Sequence, residues 1–150
     1  TADGKNKRVE TLIYDRVDAG YPNAKGTYFS GGAGLSSTIE DYAKFLQMYL
    51  NKGEYNGVRL LSRKTIELML TDQHIDGAQV GLGFGLETEA NDHQSVISLG
   101  SFQWGGAFNT HYWVDPKEDL IALLYTNIYQ TTNWSIGEKF KALTYQSIKD

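Results

Sequence analysis

Cysteine is absent from this sequence of 150 residues, and excess positive charge and long apolar runs are absent as well. Without cysteine the chain can form no disulfide, no thiolate metal site and no cysteine nucleophile. The formal net charge is −4, and the Lys and Arg residues form no dense run. Nucleic acid and anionic membrane surfaces are therefore poor candidates for partners. No apolar stretch approaches the roughly 20 residues that a membrane span requires.

The sequence does contain enough apolar material for one ordinary domain. Hydrophobic residues make up 41% of it, which is normal for a globular protein and too high for a disordered one. The first residues, from Thr1 to Lys5, include neither an initiator Met nor the apolar region of a signal peptide. We therefore expect that an upstream segment is missing, and a signal peptide could have been lost with it.

The first half of the sequence predicts the end of a helical lobe. Residues 1–29 lack helical periodicity and are expected to be extended or in loops. Within residues 30–76, Ser37 and Glu40 have the spacing of a capping box, and the apolar residues that follow recur at helical spacing. Gly53 is expected to end this helix.

A turn and a second helix are expected next. Asn56-Gly57 predicts a tight turn, and Ser62 can cap a helix over residues 63–71. Its buried face is expected to consist of Ile66, Met69 and Leu70.

Residues 77–150 predict an antiparallel sheet and a terminal helix. The expected strands are residues 81–86, 96–104, 108–114 and 120–126. The segment from Asp115 to Asp119 is short and contains Pro116, so the last two strands should form a hairpin. A helix over residues 134–148 is expected to bury Trp134, Ile136, Phe140, Leu143 and Ile148. The order of elements predicts an α+β fold, with an antiparallel sheet flanked by helices.

The sequence lacks the residue patterns of several common catalytic and binding sites. The histidines, which are His74, His93 and His111, are widely spaced and form no metal-binding pattern, so we expect no metal and no cofactor. A Ser-His-Asp site is disfavoured because no G-x-S-x-G elbow exists. Gly81, Gly83 and Gly85 favour a glycine-rich strand over a phosphate loop. Glu87 and Glu89, at strand spacing, favour a solvated face over a glycosidase pair.

Three stretches of the chain, taken together, resemble a known family. They are residues 31–45 with the continuation to Leu60-Leu61-Ser62, residues 81–85, and residues 103–107 followed by 113–116 and 120–127. In their order and spacing they resemble the C-terminal part of serine β-lactamase and penicillin-binding-protein-like hydrolases, close to class C enzymes and the related esterases. The resemblance covers about residues 28–150 and implies a β-lactamase/transpeptidase-like fold.

The resemblance also implies which catalytic motifs are absent. The family uses a nucleophilic Ser and a Lys in S-x-x-K, a Tyr in Y-x-N, and a third motif on the strand that edges the active site. No S-x-x-K occurs in this sequence, and Ser62 cannot replace it. Tyr21-Pro22-Asn23 spells Y-x-N but lies too close to the Gly31 segment, so we interpret it as a turn. The chain alone is therefore expected to be inactive.

The third motif is present as Trp104-Gly105-Gly106, a variant that resembles that of some esterase and transacylase members. By this resemblance the backbone N–H of Ala107 is the strand's oxyanion donor, and Trp104, Gly105 and Gly106 bind substrate. Trp104 stands where relatives have Lys or His, which makes ester, amide or peptide substrates more plausible than β-lactams. Spacing alone leaves another interpretation open, in which Gly105-Gly106 is a β-bulge and Trp104 a core aromatic.

A rival function is a non-catalytic module or a pseudoenzyme of the same fold. With 10 Tyr and 3 Trp, the chain could bind carbohydrate or peptide, using Trp104 and Trp113 as stacking residues. The expected partners are a small-molecule or peptide substrate and either the missing N-terminal part of the same protein or a second copy. Family resemblance implies a periplasmic or extracellular location.

Overall fold

A computed structural model of the chain describes residues 31–32, 34–129 and 135–149. The chain divides into two compact units, Thr1–Ser36 and Ser37–Asp150, and nearly all described residues belong to the second. The predicted turn Tyr21-Pro22-Asn23 lies outside the described residues.

The elements in chain order are α1 (Ile39–Leu50), β1 (Glu54–Tyr55), β2 (Val58–Arg59), α2 (Arg63–Met69), β3 (Gly85–Leu86), a 3-10 turn (Asp92–Gln94), β4 (Phe102–Gly106), β5 (Thr110–Asp115), β6 (Leu120–Leu124) and α3 (Ser135–Gln146).

Helix α1 is capped one residue later than the sequence pattern predicts. The N-cap is Thr38, whose Oγ1 accepts a hydrogen bond of 3.2 Å from the N–H of Asp41. The hydroxyl of Ser37 instead donates to the carbonyl of Thr38. The predicted capping box of Ser37 and Glu40 is therefore wrong, because both residues lie one position too early to reach the first free N–H groups. Gly53 lies shortly after the end of the helix and has a φ of 99°, a positive value of the kind that glycine often adopts after helices.

The short hairpin and the second helix follow the sequence closely. Asn56 and Gly57 join β1 to β2 with φ values of 49° and 78°, which is the two-residue turn that Asn-Gly favours. Ser62 caps α2 as predicted, since its Oγ accepts the N–H of Thr65 at 3.0 Å. The helix ends at Met69 rather than at the predicted residue 71.

Strands β3, β4, β5 and β6 form one antiparallel sheet in that order. The predicted hairpin of the last two strands is confirmed. Two predicted strands are too long. Most of residues 96–104 lies outside β4, and the N–H of Ser98 donates to Asp115 Oδ2 at 3.0 Å instead of to a strand. In residues 81–86 the chain turns at Gly83, which has a φ of 98°, so only the last two residues pair.

Alternate side chains of the sheet pack against different helices, because side chains on a strand point to opposite faces in turn. One face buries Leu86, Phe102, Tyr112 and Val114 with Leu46 and Tyr49 of α1 and Ile66 of α2. The other face buries Trp113 and Ala122 with Ile97, against Phe140 and Tyr145 of α3. The fold is therefore α+β with an antiparallel sheet flanked by helices, as predicted. Within the described residues, no helix is long and apolar enough to cross a membrane.

Helix α3 buries the predicted apolar face only in part: Phe140 packs against Trp113, but other residues of that face are exposed. Leu143 is 65% exposed and Ile148 is 38% exposed, and Trp134 lies outside the described residues. The buried residues of α3 are Gly137 and Lys141, and Lys141 Nζ donates to Gln103 Oε1 of β4 at 3.0 Å. The prediction is wrong at these positions because a hydrogen-bonded lysine, rather than Leu143, faces the sheet.

Candidate active site

Strand β4 carries the predicted third motif on a partly open edge. β3 is two residues long and pairs with β4 only at Phe102 and Gln103. On the other side, β5 pairs with every residue of β4. Among the described residues, Trp104, Gly105 and Gly106 therefore have a neighbouring strand on one side only.

The backbone of Gly105 faces this open edge. Backbone groups of successive residues in an antiparallel strand point alternately toward its two neighbours. Gly106 points toward β5, since its carbonyl accepts the N–H of Asn109 at 2.9 Å. Ser101 points the other way, since its carbonyl accepts the N–H of Glu87 at 2.9 Å. Gly105 has the same direction as Ser101, so its N–H and C=O point to the side where the described part of the chain has no strand.

The turn after β4 presents the N–H of Ala107 to the same side. Ala107 is exposed and is the first of the three residues between the paired Gly106 and Thr110. The peptide bond between Gly106 and Ala107 is trans, so its N–H points away from its C=O. Because that C=O is directed at Asn109 of the turn, the N–H of Ala107 points outward, as an oxyanion donor requires.

The segment after β6 holds this turn in place, a feature that sequence reasoning missed. Thr126 Oγ1 donates to the carbonyl of Phe108 at 2.5 Å and lies 3.2 Å from that of Asn109. The rings of Phe108 and Tyr129 also pack together, with centroids 5.1 Å apart. No local pattern links residue 126 to the turn, because the contact depends on the register of the two strands between them, β5 and β6.

Trp104 lies on the surface beside the open edge, and Trp113 does not. The side chain of Trp104 is 55% exposed, so it is not a core aromatic. Its ring lies over Gly85, where an added Cβ would be 3.6 Å from Cε3 and Cζ3. Trp113 is 1% exposed and packs against Phe140. The suggestion that Trp113 stacks on a ligand is therefore wrong, because the other face of the sheet buries it.

The two glycines of the motif lie close against the neighbouring strand. A Cβ at Gly105 would lie 2.8 Å from the backbone oxygen of Thr110, and a Cβ at Gly106 would lie 2.6 Å from Thr110 Oγ1. Both residues pair one-to-one with β5, so the β-bulge interpretation is wrong. Their lack of side chains also keeps the strand edge accessible to a ligand.

The ionisable residues of β5 next to the motif are held neutral. Tyr112 pairs with Trp104, and burial followed by its hydrogen bond with Tyr42 raises the pKa of its hydroxyl. His111 pairs with Gly105, and burial lowers the pKa of its imidazole below 6.5. Neither residue therefore supplies a charge beside the motif at pH 7. Within the part of the chain that the structure describes, no group of three or more His, Asp or Glu could hold a metal ion.

The described residues form an α+β domain in which strand β4 has one partly open edge. A sequence profile of the family described as Beta-lactamase matches residues 1–146, and the chain belongs to that family. The predicted family is thereby confirmed at this level. Its finer details, the class C relationship and the esterase-type third motif, stay predictions.

The curated relatives are considerably longer than this chain. Protein Rv1367c of Mycobacterium tuberculosis is 38% identical over 114 residues, which cover 65% of this chain and 28% of the relative. An N-acetylmuramyl-L-alanine amidase of Bacillus subtilis is 30% identical over 133 residues, which cover 79% of this chain and 29% of the relative. The match thus spans less than a third of either relative.

Solved structures support the fold. The unliganded simvastatin synthase (LovD) of Aspergillus terreus, as its selenomethionyl derivative, superposes with a TM-score of 0.64 and 21% identity. The superposition covers 89% of this chain and 40% of that enzyme. At this identity the similarity shows a shared fold.

Proposed function

We propose that this chain is the C-terminal portion of a β-lactamase-like serine hydrolase that works through an acyl-enzyme. In this proposal the nucleophilic Ser, its Lys and the Tyr belong to a longer parent protein and lie upstream of Thr1. The length of the curated relatives supports it, because the match spans only 28% to 29% of each. The chain by itself should then be inactive, since it supplies one wall of the active site.

The observation that carries the proposal is the open edge at Gly105 and Ala107. Attack of a serine on an acyl carbonyl creates an oxyanion, and an outward-pointing N–H at Ala107 can stabilise it. The exposed N–H and C=O of Gly105 can bind an extended substrate in the manner of an added strand. Oxyanion stabilisation and substrate binding both require backbone groups that point to the open side of β4. The alternating direction of backbone groups along the strand provides them there.

Trp104 supports an ester, amide or peptide as substrate. Its half-exposed ring places apolar surface beside the edge, and it cannot form an ion pair with the carboxylate that β-lactam antibiotics carry. The Bacillus subtilis relative is named as an amidase of the N-acetylmuramyl-L-alanine bond, which supports an amide in the same class of compounds. A substrate of that kind also supports a periplasmic or extracellular location.

The sheet gives a reason why the chain should need a partner. Within the described residues, β6 pairs only with β5, so its other edge is open. We propose that the upstream part of the parent protein covers that edge, or that a second copy does so when the chain is alone. Light scattering on the purified chain tests this, because a monodisperse monomer with a cooperative melt would contradict it.

The catalytic proposal is tested by labelling and turnover. The purified chain and the parent protein are each incubated with a fluorescent fluorophosphonate, with nitrocefin and with p-nitrophenyl esters. We expect labelling and ester turnover for the parent only, with the label on a Ser upstream of Thr1. Turnover by the chain alone, or a parent protein without any labelled serine, would contradict the proposal.

Exposure of Trp104 also favours the rival function, a carbohydrate- or peptide-binding module without chemistry. A parent protein that lacks both S-x-x-K and Y-x-N, and that binds sugars or peptides without turnover, would support this rival.

A further inference from the structure

His111 lies directly behind the proposed oxyanion turn. It pairs with Gly105 across β4 and β5, and its ring is on the face opposite Trp104. The ring packs against the first turn of α3, where a Cβ at Gly137 would lie 2.4 Å from His111 Nδ1. His111 Nε2 is 2.8 Å from Asn109 Oδ1, so an Nε2–H donates to that oxygen. The imidazole therefore bridges α3 and the end of the turn.

Asn109 connects this imidazole to the backbone that presents Ala107. Its side chain is 1% exposed, and its φ of 58° is the left-handed conformation that completes the three-residue turn. Its N–H donates to the carbonyl of Gly106, whose peptide bond also contains the N–H of Ala107. A backbone shift of Asn109 would therefore also shift the peptide that contains that N–H.

The surroundings of His111 favour its neutral form. Burial lowers the pKa, Glu138 of α3 acts in the opposite direction, and Lys141 of α3 lowers the pKa further. The pairing partners on β4 and β6 are Gly105 and Leu124, which do not titrate. The first turn of a helix presents N–H groups and the positive end of its dipole, which also disfavours an imidazolium.

We propose that His111 is a positioning residue for the oxyanion turn: its neutral imidazole, through Asn109, fixes the direction of the Ala107 N–H, and its protonation disturbs that geometry. This inference rests on the proposed function for its meaning, although the geometric coupling exists independently of any reaction. The physical reason is that protonation adds a donor at the nitrogen nearest Gly137 and places a positive charge on a buried ring, which burial disfavours.

NMR on the isotope-labelled chain tests the coupling without an activity assay. The His111 ring signal, the Asn109 side-chain amide and the Ala107 amide are followed from pH 4.5 to 8.5. We expect all three to titrate with one midpoint, below the ordinary value of 6.5 for an imidazole. If the Ala107 amide does not change with His111, the proposal is overturned.

Two variants and one control separate positioning from general stability. His111→Gln keeps an N–H donor for Asn109 but does not titrate, so the Ala107 shift should become independent of pH. His111→Ala removes the donor and should displace the Ala107 signal at every pH. His74→Gln, at a side chain that is 85% exposed, should leave the Ala107 titration unchanged. A titration that persists in His111→Gln contradicts the inference, whereas failure of serine labelling in the parent protein contradicts only the proposed function.

Discussion

The hydroxyl of Tyr145 donates a hydrogen bond of 2.6 Å to Asp115 Oδ2, which joins α3 to the last residue of β5. Asp115 is fully buried. Its carboxylate also accepts backbone N–H groups from Ser98, Lys117 and Glu118. Burial alone raises the pKa of this carboxyl, but the hydrogen bonds from Tyr145 and Ser98 outweigh it and hold the pKa below its usual value. The ionised Asp115 thus links three segments that are distant in sequence.

Removing the tyrosine hydroxyl should therefore destabilise the chain. We expect Tyr145→Phe to lower the free energy of unfolding by about 1–3 kcal/mol, because a buried carboxylate loses one of its donors. Denaturant melts monitored by circular dichroism measure the change. The matched control is Tyr55→Phe, since the Tyr55 hydroxyl has no hydrogen-bond partner among the described residues. Equal effects of both substitutions would show that the contact to Asp115 contributes little.

Glu87 is a second buried carboxyl group, and its pKa is shifted in the opposite direction from that of Asp115. Glu87 is 3% exposed, and its Oε1 has no hydrogen-bond partner within the described residues. Burial, followed by the charge of Asp92, raises the pKa of Glu87, so the folded state favours the protonated form. The stability contributed by that proton is complete below the unfolded pKa of about 4.3 and is lost as the pH rises through the folded pKa.

Glu87→Gln should consequently stabilise the chain at neutral pH, by on the order of 1 kcal/mol. The gain should disappear below about pH 4, where Glu87 is protonated in both the folded and the unfolded states. Urea melts at pH 7 and pH 3.5 measure both values. Glu89→Gln, at an exposed position two residues away, is the control and should change neither. A gain that is the same at both pH values would rule out titration of Glu87 as its source.

The elements that sequence reasoning located correctly are those determined by local chemistry. Asn56-Gly57 adopts its turn and Ser62 caps α2 because the relevant contacts lie within three residues. The antiparallel order of the last strands also follows from a short connection at Asp115 to Asp119. In each case the residues that determine the structure are neighbours in the sequence.

Apart from the cap of α1, which is Thr38 instead of the neighbouring Ser37, the errors occur where contacts with distant residues determine the structure. Residues 96–101 have strand composition, but Asp115 binds the N–H of Ser98 and keeps the segment out of the sheet. Lys141 is buried because its ammonium group donates a hydrogen bond to Gln103 of β4. The helical periodicity of the sequence does not indicate this contact. At the candidate site, the motif residues were found by resemblance, whereas Asn109 and Thr126 were missed because they act through the fold.

The two motif glycines should differ in their tolerance of a methyl group. In Gly105→Ala the new Cβ meets the backbone oxygen of Thr110 at 2.8 Å, and a paired strand cannot easily move that atom. In Gly106→Ala it meets Thr110 Oγ1, the end of a side chain that can rotate away. We expect a loss of about 1–3 kcal/mol for Gly105→Ala and a smaller one for Gly106→Ala. Thermal melts of the two variants, side by side, give the comparison, and the reverse order would refute this packing argument.

Trp104 and Trp113 should separate binding from stability. Trp104→Ala removes a half-exposed ring, so the melting temperature should change little, while ester turnover by the parent protein should fall by about tenfold if the ring contributes roughly 1.4 kcal/mol to the transition state. Trp113→Ala removes a fully buried ring and should cost about 3–5 kcal/mol in unfolding free energy. Calorimetry and steady-state kinetics test the pair. A Trp104→Ala variant with normal turnover would exclude this side chain from the substrate site.

The role of Ala107 can be tested by removing its N–H while keeping its position. Ala107 follows the first residue of a turn that the Asn109 N–H closes on the Gly106 carbonyl, and proline is favoured at that second position. Ala107→Pro therefore deletes the donor without deleting a hydrogen bond of the hairpin, whereas Ala107→Gly changes the side chain and keeps the N–H. In the parent protein we expect Ala107→Pro to lower kcat by about 10²–10³, the usual cost of one oxyanion donor. Ala107→Gly should stay within a few-fold of the unmodified protein. If both variants retain full kcat and fold normally, the oxyanion donor is a different group, and the open edge of β4 binds substrate without stabilising its transition state.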